Sequence, residues 1–547
     1  MANFSKILGL ASTALVFAGV AFGQNATVSG GSASQTPLVR VEGTTELVGE
    51  YTFTVTGNGT ASTINILDIL SLPVTSKLLV TSGTPAYTEA VAVANGSVYQ
   101  GTVSGSQVTF SGIAIPATGA YTVTIANIRV NATSLTVGSG TPPAITESAF
   151  VSGVAVNSAV TASTAVAYAF TGLSTQTAYT VQSPIASANK GYFNFLVCQG
   201  YRTSAGLVGF IDVGENFATA FKGIGSSSNN MLGSEFTNNT ETGYVPSTGF
   251  TTSSGVTSIA SSATMLQVVF SNIPASVTLY VPTTVGADGS PTGAGSLTLV
   301  TSPSNLTAVT PSTSSSAATG TAALTATSGS ATAYYLFTPG SASSSLTETF
   351  AIGSYVVLSA NTVTASSTAL TAAVSFAPVG STQIPNFVVG PSTTTTTLST
   401  FGQCTTSLLF PFVTNQLGFD TGIAIANTSS DPFGANGATA QAGTCTISFY
   451  GAGAPSPSNI VTPTVPSGTV YTAVLSGIGA GFQGYLIAQC NFQYAHGFAF
   501  VTDGVGANGG LSQGYLAGVI PDTNQLKRTT ANPIGVATKG MGETLGN

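Results

Sequence analysis

The chain has 547 residues, of which only 5% are charged, and it carries a net charge of −7 with a mean hydropathy of +0.39. No Lys or Arg occurs between Lys222 and Lys527, so no cationic cluster exists there to displace counterions. This excludes nucleic acid as a partner and disfavours anionic membrane surfaces. Sixty-four Gly, 25 Pro and 43% hydrophobic residues argue against disorder and for short strands joined by many turns.

Taken in chain order, the first feature is a processing signal. Lys6 precedes an apolar run over 7–20, and Ala21-Phe22-Gly23 places small residues at −3 and −1 before Gln24. The expectation is a signal peptide over 1–23. It directs the protein to the extracellular space or cell surface, with the periplasm as the alternative compartment. No later stretch reaches the roughly 18 apolar residues a membrane-spanning helix needs.

Period-2 alternation then recurs, as in Tyr51-Thr-Phe53-Thr-Val55, Tyr121-Thr-Val123-Thr-Ile125 and Leu297-Thr-Leu299. Each puts apolar residues on one face and Thr on the other, the pattern of a half-buried antiparallel strand. Residues 64–72 and 216–221 are the two places where a helical turn is expected. Low-complexity stretches at 311–328 and 391–400 read as linkers or exposed edges. The fold class is all-β, with several immunoglobulin-like or β-sandwich domains in series: a β-sandwich over 37–150, one with an irregular insertion over 151–309, a small β domain over 318–390 and a seven-stranded sandwich over 403–521, then a flexible tail over 523–547. In the last of these, seven strands are expected at 408–412, 422–426, 445–449, 469–474, 484–491, 497–501 and 514–520, the density of an immunoglobulin-like sandwich.

The segments LLFPFVTNQLGFDTGIAIANTSSDPFG (408–434) and GFQGYLIAQCNFQYAHGFAFVTDG (481–504) resemble a module of uncharacterised secreted proteins of acidobacteria. VRVEGTTELVGE (39–50), GENFATAFK (214–222) and FSNIPASVTLYV (270–281) are similar to other parts of the same proteins. The resemblance implies a secreted multidomain β-protein and brings no activity or ligand with it.

Four Cys in an exported chain point to disulfides. Cys445 shares a strand face with Ile447 and Phe449, and Cys490 shares one with Leu486 and Ala488. A bridge inside the last module is therefore expected. Cys198 and Cys404 remain, and their pairing would clamp the second module to the fourth.

The motif matches fail on context. His496 is the single His and has no carboxylate cluster around it in sequence, so it reads as a packed strand residue. Gly510-Leu-Ser512-Gln-Gly514 matches a nucleophile elbow, but no helix follows and His496 precedes the Ser. Gly504-Val-Gly506-Ala-Asn-Gly509 lacks the helix a dinucleotide site requires. Asp212, Glu215, Glu235 and Glu241 are the acids a glycosidase pair would draw on, and they read as solvated loop carboxylates.

The expectation is thus a non-enzymatic structural or adhesive surface protein, a self-assembling fibre or coat subunit, without cofactor or metal. Self-association, or other surface proteins and glycans, would supply its partners. A glycan- or protein-binding module is the alternative, resting on Phe482, Tyr485, Phe492, Tyr494, Phe498 and Phe500, with Tyr485 and Tyr494 as the candidate binding aromatics. An exported hydrolase is the remote one.

Overall fold

The computed structural model describes residues 25–79, 86–154, 156–174, 177–179, 193–197, 207–223, 260–315, 317–359, 362–380, 383–388, 395–433, 438, 440–504 and 510–520. The expected leader (1–23), Cys198, Glu235, Glu241, the 505–509 part of the glycine motif and the tail (523–547) lie outside these residues. The chain is nearly all β, and no helix among the described residues is long and apolar enough to cross a membrane.

Three hydrophobic cores organise the strands. The first is built from residues between Ala26 and Ala169. Its five-stranded sheet runs Thr27–Ala33, Tyr51–Asn58, Thr118–Ala126, Val91–Ala94, Ser97–Gln100. The facing sheet is centred on Ala144–Gly153, Ser62–Leu70 and Gln107–Ile115. Alternation decides which side faces in: Tyr51, Phe53 and Val55 are buried while Thr52 and Thr54 turn outward. Each such side chain contributes about 1.5–3 kcal/mol on burial. Residues 64–72 form no helical turn; 62–70 is a strand between two partners, because Ile64, Ile66 and Leu70 all find the core at period 2. The domain is also longer than 37–150, since Thr27–Ala33 and Thr164–Phe170 both pair within it.

The second core extends from Leu173 to Phe401 and overturns the division into 151–309 and 318–390. Met265–Ser271 pairs with Ser330–Thr338 on one side and Ser366–Phe376 on the other, so strands from both expected domains alternate in one sheet. Nor do the described parts of the low-complexity stretches act as linkers, although Thr321–Ala323 is an edge strand, the other reading of 311–328. Thr321–Ala323 pairs with Tyr280–Pro282, and Thr396–Gly402 pairs with both Ser366–Phe376 and Phe193–Leu196. Thr and Ala fit a pleated, half-buried surface as well as they fit a linker, so composition alone could not separate the two.

The last sandwich has its own core between Leu408 and Ala517. One sheet has the order Asn459–Val461, Cys445–Ala452, Gln483–Cys490, Thr406–Thr414, Gly518–Ile520. The other has Val470–Val474, Asp420–Asn427, Ala495–Thr502, Ser512–Leu516. All seven expected strands are present, but the described strands number nine. Asn459–Val461 is added, and the segment 514–520 divides at buried Ala517 so that its two halves join opposite sheets.

The first two sandwiches are joined by buried charge. Arg40, from the first, meets Glu46 at 2.6 Å, and both are 1% exposed. Its guanidinium also donates to the Ala220 carbonyl and the Thr264 hydroxyl of the second sandwich and lies 4.6 Å from the Phe387 ring centroid. Burial opposes the Glu46 charge, but the attraction of Arg40, helped by Lys222, outweighs it and holds the carboxyl below its usual range. The backbone of Thr44 pairs with Asn386 beside it.

Candidate functional site

The expected site residues scatter. Asp212 and Glu215 are buried in the second sandwich rather than solvated in a loop. Glu215 accepts the Phe221 and Glu348 amides, and burial pushes its carboxyl up to about 8. It acts as a backbone acceptor inside a packed core. Ser512 stands in a strand and shares a hydrogen bond of 2.9 Å with the Thr502 hydroxyl, far from an elbow geometry. His496 is half-buried in the strand Ala495–Thr502, opposite Ala426. Among the described residues, no group of three or more His, Cys, Asp or Glu gathers as a metal would require.

Cys445 and Cys490 are bonded and stand directly opposite each other in neighbouring strands, both fully buried. Cys404 is buried and disulfide-bonded, while Cys198, its expected partner, is outside the described residues.

The aromatic series divides in two. Phe482 and Phe492 are core residues. Tyr494 is half-buried in the turn before its strand, at φ +60°, and its carbonyl accepts both the amide and the hydroxyl of Thr428. Tyr485 is 41% exposed on the outer face of the five-stranded sheet. There it stacks on Tyr450, its cross-strand partner, with ring centroids 5.0 Å apart and planes 11° apart. Sequence reading missed Tyr450. Its place just past Phe449, on the opposite face of a strand beginning at Cys445, was the available signal.

The other outer face is more apolar. Phe498 and Phe500 project from it at 42% and 37% exposure, with Leu516, Val470 and Val474 beside them. Register sets out two rows, Val474–Gly422–Phe500–Gly514 and Thr472–Ala424–Phe498–Leu516, followed by Val470–Ala426–His496. The central strand thus shows only Gly422, Ala424 and Ala426 between a ridge of Phe and a ridge of Val. These strands are apolar on both sides, since Ile423, Ile425 and Ala499 fill the core from the inner face. Between the two sheets, a groove of about 490 Å³ opens beside Phe412, Leu417, Val501, Leu511 and Tyr515.

These exposures are confined to one part of the molecule. The exposed aromatics among the described residues are Phe412, Phe433, Tyr450, Tyr485, Phe498 and Phe500, and all belong to the last sandwich. That region carries Asp420, Asp431 and Asp503 but no Lys or Arg.

No family model matches the chain, and no curated protein matches it. Among solved structures, it is similar to a variant of BcpA, the major pilin subunit of Bacillus cereus. The identity is 9%, covering 91% of this chain and 93% of that one, with a TM-score of 0.22. A putative membrane anchored protein from Corynebacterium diphtheriae aligns at 10% identity over 69% of this chain and 96% of that one, with a TM-score of 0.10. Likeness at these scores decides nothing about role.

Proposed function

We propose that this is a non-enzymatic extracellular structural or adhesive protein that self-assembles at the cell surface as a fibre or coat subunit. The observation that carries it is the gathering of exposed aromatic and large aliphatic side chains on the last sandwich, on both outer faces. Apolar patches of this kind, without charge among them, mark interaction surfaces. The first two sandwiches expose no aromatic among the described residues, and their buried Arg40–Glu46 junction suits a stiff stalk carrying the last sandwich. Negative-stain microscopy of the chain lacking 1–23, with immunolabelling of intact cells, tests this reading. Fibres or ordered sheets located at the surface are expected. A monodisperse monomer at high concentration, absent from the surface, would overturn it.

The Tyr450–Tyr485 pair favours a second reading, a secreted module that binds neutral glycans through one sheet face. Glycan-array binding that is lost in Tyr485→Ala, from a chain that stays monomeric, would establish it instead.

A further inference from the structure

We infer that the four-stranded sheet of the last sandwich is a self-pairing face, whose partner is the same face of a second copy related by a two-fold axis parallel to the strands. The inference rests on the proposed self-assembly and names one contact within it: a two-fold contact closes on a pair of copies, and a fibre or coat joins such pairs through a second surface.

Rotation about an axis along the strands reverses strand order while leaving each row opposite itself. The strand Ala495–Thr502 of one copy then faces Asp420–Asn427 of the other. Phe500 meets Gly422 and Phe498 meets Ala424, twice over by symmetry. Each large side chain enters the trough that the small ones leave. The trough is open in the single chain: a Cβ added at Gly422 would come no nearer than 3.9 Å to any neighbour, the Phe500 carbonyl oxygen. The Phe498 ring leans toward Gly514, where an added Cβ would meet it at 2.5 Å, and so leaves the Gly422–Ala426 trough on its other side uncovered. A two-fold axis across the strands would instead set Phe against Phe.

Charge selects the same occupant. The face has Asp420 at one end and His496 at the other, with no ionisable group between them. The Asp420 carboxylate is committed to Ser476, Thr421 and Asn415. A charged ligand therefore finds no counter-charge, and a glycan finds only Gly and Ala in the trough. A second copy brings an equally uncharged and shape-matched surface.

Area sets the strength. Four strands about 4.8 Å apart, with rows about 6.8 Å apart, give roughly 350 Å² per copy. The total of about 700 Å² falls short of the ~1,200 Å² of self-sufficient interfaces. Pairing is accordingly weak in solution, with a dissociation constant on the order of tens of micromolar, and gains strength where copies are held together on a surface.

Analytical ultracentrifugation of the chain lacking 1–23, from about 1 to 200 µM, tests this. The expected result is a mass that rises toward the dimer, with at least a tenfold weaker association in Gly422→Leu and in Phe500→Asp. Tyr485→Asp, on the opposite sheet, should leave it unchanged. Gly422→Leu fills an open trough and Phe500→Asp alters an outward side chain, so near-native circular dichroism should accompany both. Assembly that survives both face variants, or that Tyr485→Asp abolishes, overturns this inference while leaving self-assembly standing. A chain monomeric throughout overturns both. So does a monomer whose Phe498–Phe500 face instead binds neutral phosphatidylcholine vesicles.

Discussion

Asp68 and Glu147 place two carboxyl groups in the core of the first sandwich, on neighbouring strands, almost without solvent contact and with no ion pair to a cation among the described residues. Burial raises the Asp68 carboxyl to about 7; burial, then the Asp68 charge, raises Glu147. At least one proton stays between them in the folded state, whereas the unfolded chain releases it near pH 4. Between these values the unfolded state binds fewer protons, so stability falls as pH rises. A loss on the order of 3 kcal/mol between about pH 4 and pH 7 is expected for the first sandwich. Thermal melts across that range check it, and Asp68→Asn should flatten the dependence. At the junction, Glu46→Gln leaves Arg40 buried beside a neutral partner. It should destabilise by about 3–5 kcal/mol, read as a shift in the urea midpoint. An accelerated hydrogen exchange in 40–46 should accompany that shift.

At the level of elements, the disulfide ties Cys445–Ala452 to Gln483–Cys490, the middle strand of the last five-stranded sheet. It closes a loop with a sequence separation of 45 residues, for which chain entropy gives about 4 kcal/mol. Replacing Cys445 and Cys490 with Ala should lower the melting of the last sandwich alone. Amide exchange resolved by segment should therefore rise in 406–520 and stay constant in 51–126. Equal loosening of all three sandwiches would contradict this. The four-stranded sheet behaves differently, because Asp420–Asn427 in its interior carries Ile on its inner face and Gly or Ala on its outer one. A strand of that kind is stable in the sandwich and still offers a trough to a partner.

For the whole molecule, three separate cores predict unfolding in more than one step. Calorimetry should resolve a last-sandwich transition that responds to reductant and a first-sandwich transition that responds to pH. Coupling between the first and second should weaken in Glu46→Gln, since Arg40 is the residue that reaches Ala220 and Thr264. A single transition moved equally by reductant and by pH would mean that the sandwiches act as one unit.

Local pattern was sufficient for many of the strands, though not for 62–70, part of which read as a helical turn, nor for 459–461. Thr-alternating segments such as 51–55 and 121–125, and the seven segments of the last sandwich, are strands because period 2 is a property of the chain itself. The faces of Cys445 and Cys490 were legible on the same ground. What alternation cannot carry is partnership between distant segments. Nothing within 265–271 says that it pairs with 330–338 and 366–376, and so one large sandwich read as two domains with a linker between them. The surface was equally hidden: Phe492 and Phe498 look alike in sequence, yet one fills the core and the other stands in solvent. Only the second sheet, by covering one side of the strand Ala495–Thr502 and leaving the other bare, decides which aromatic is packing and which is surface.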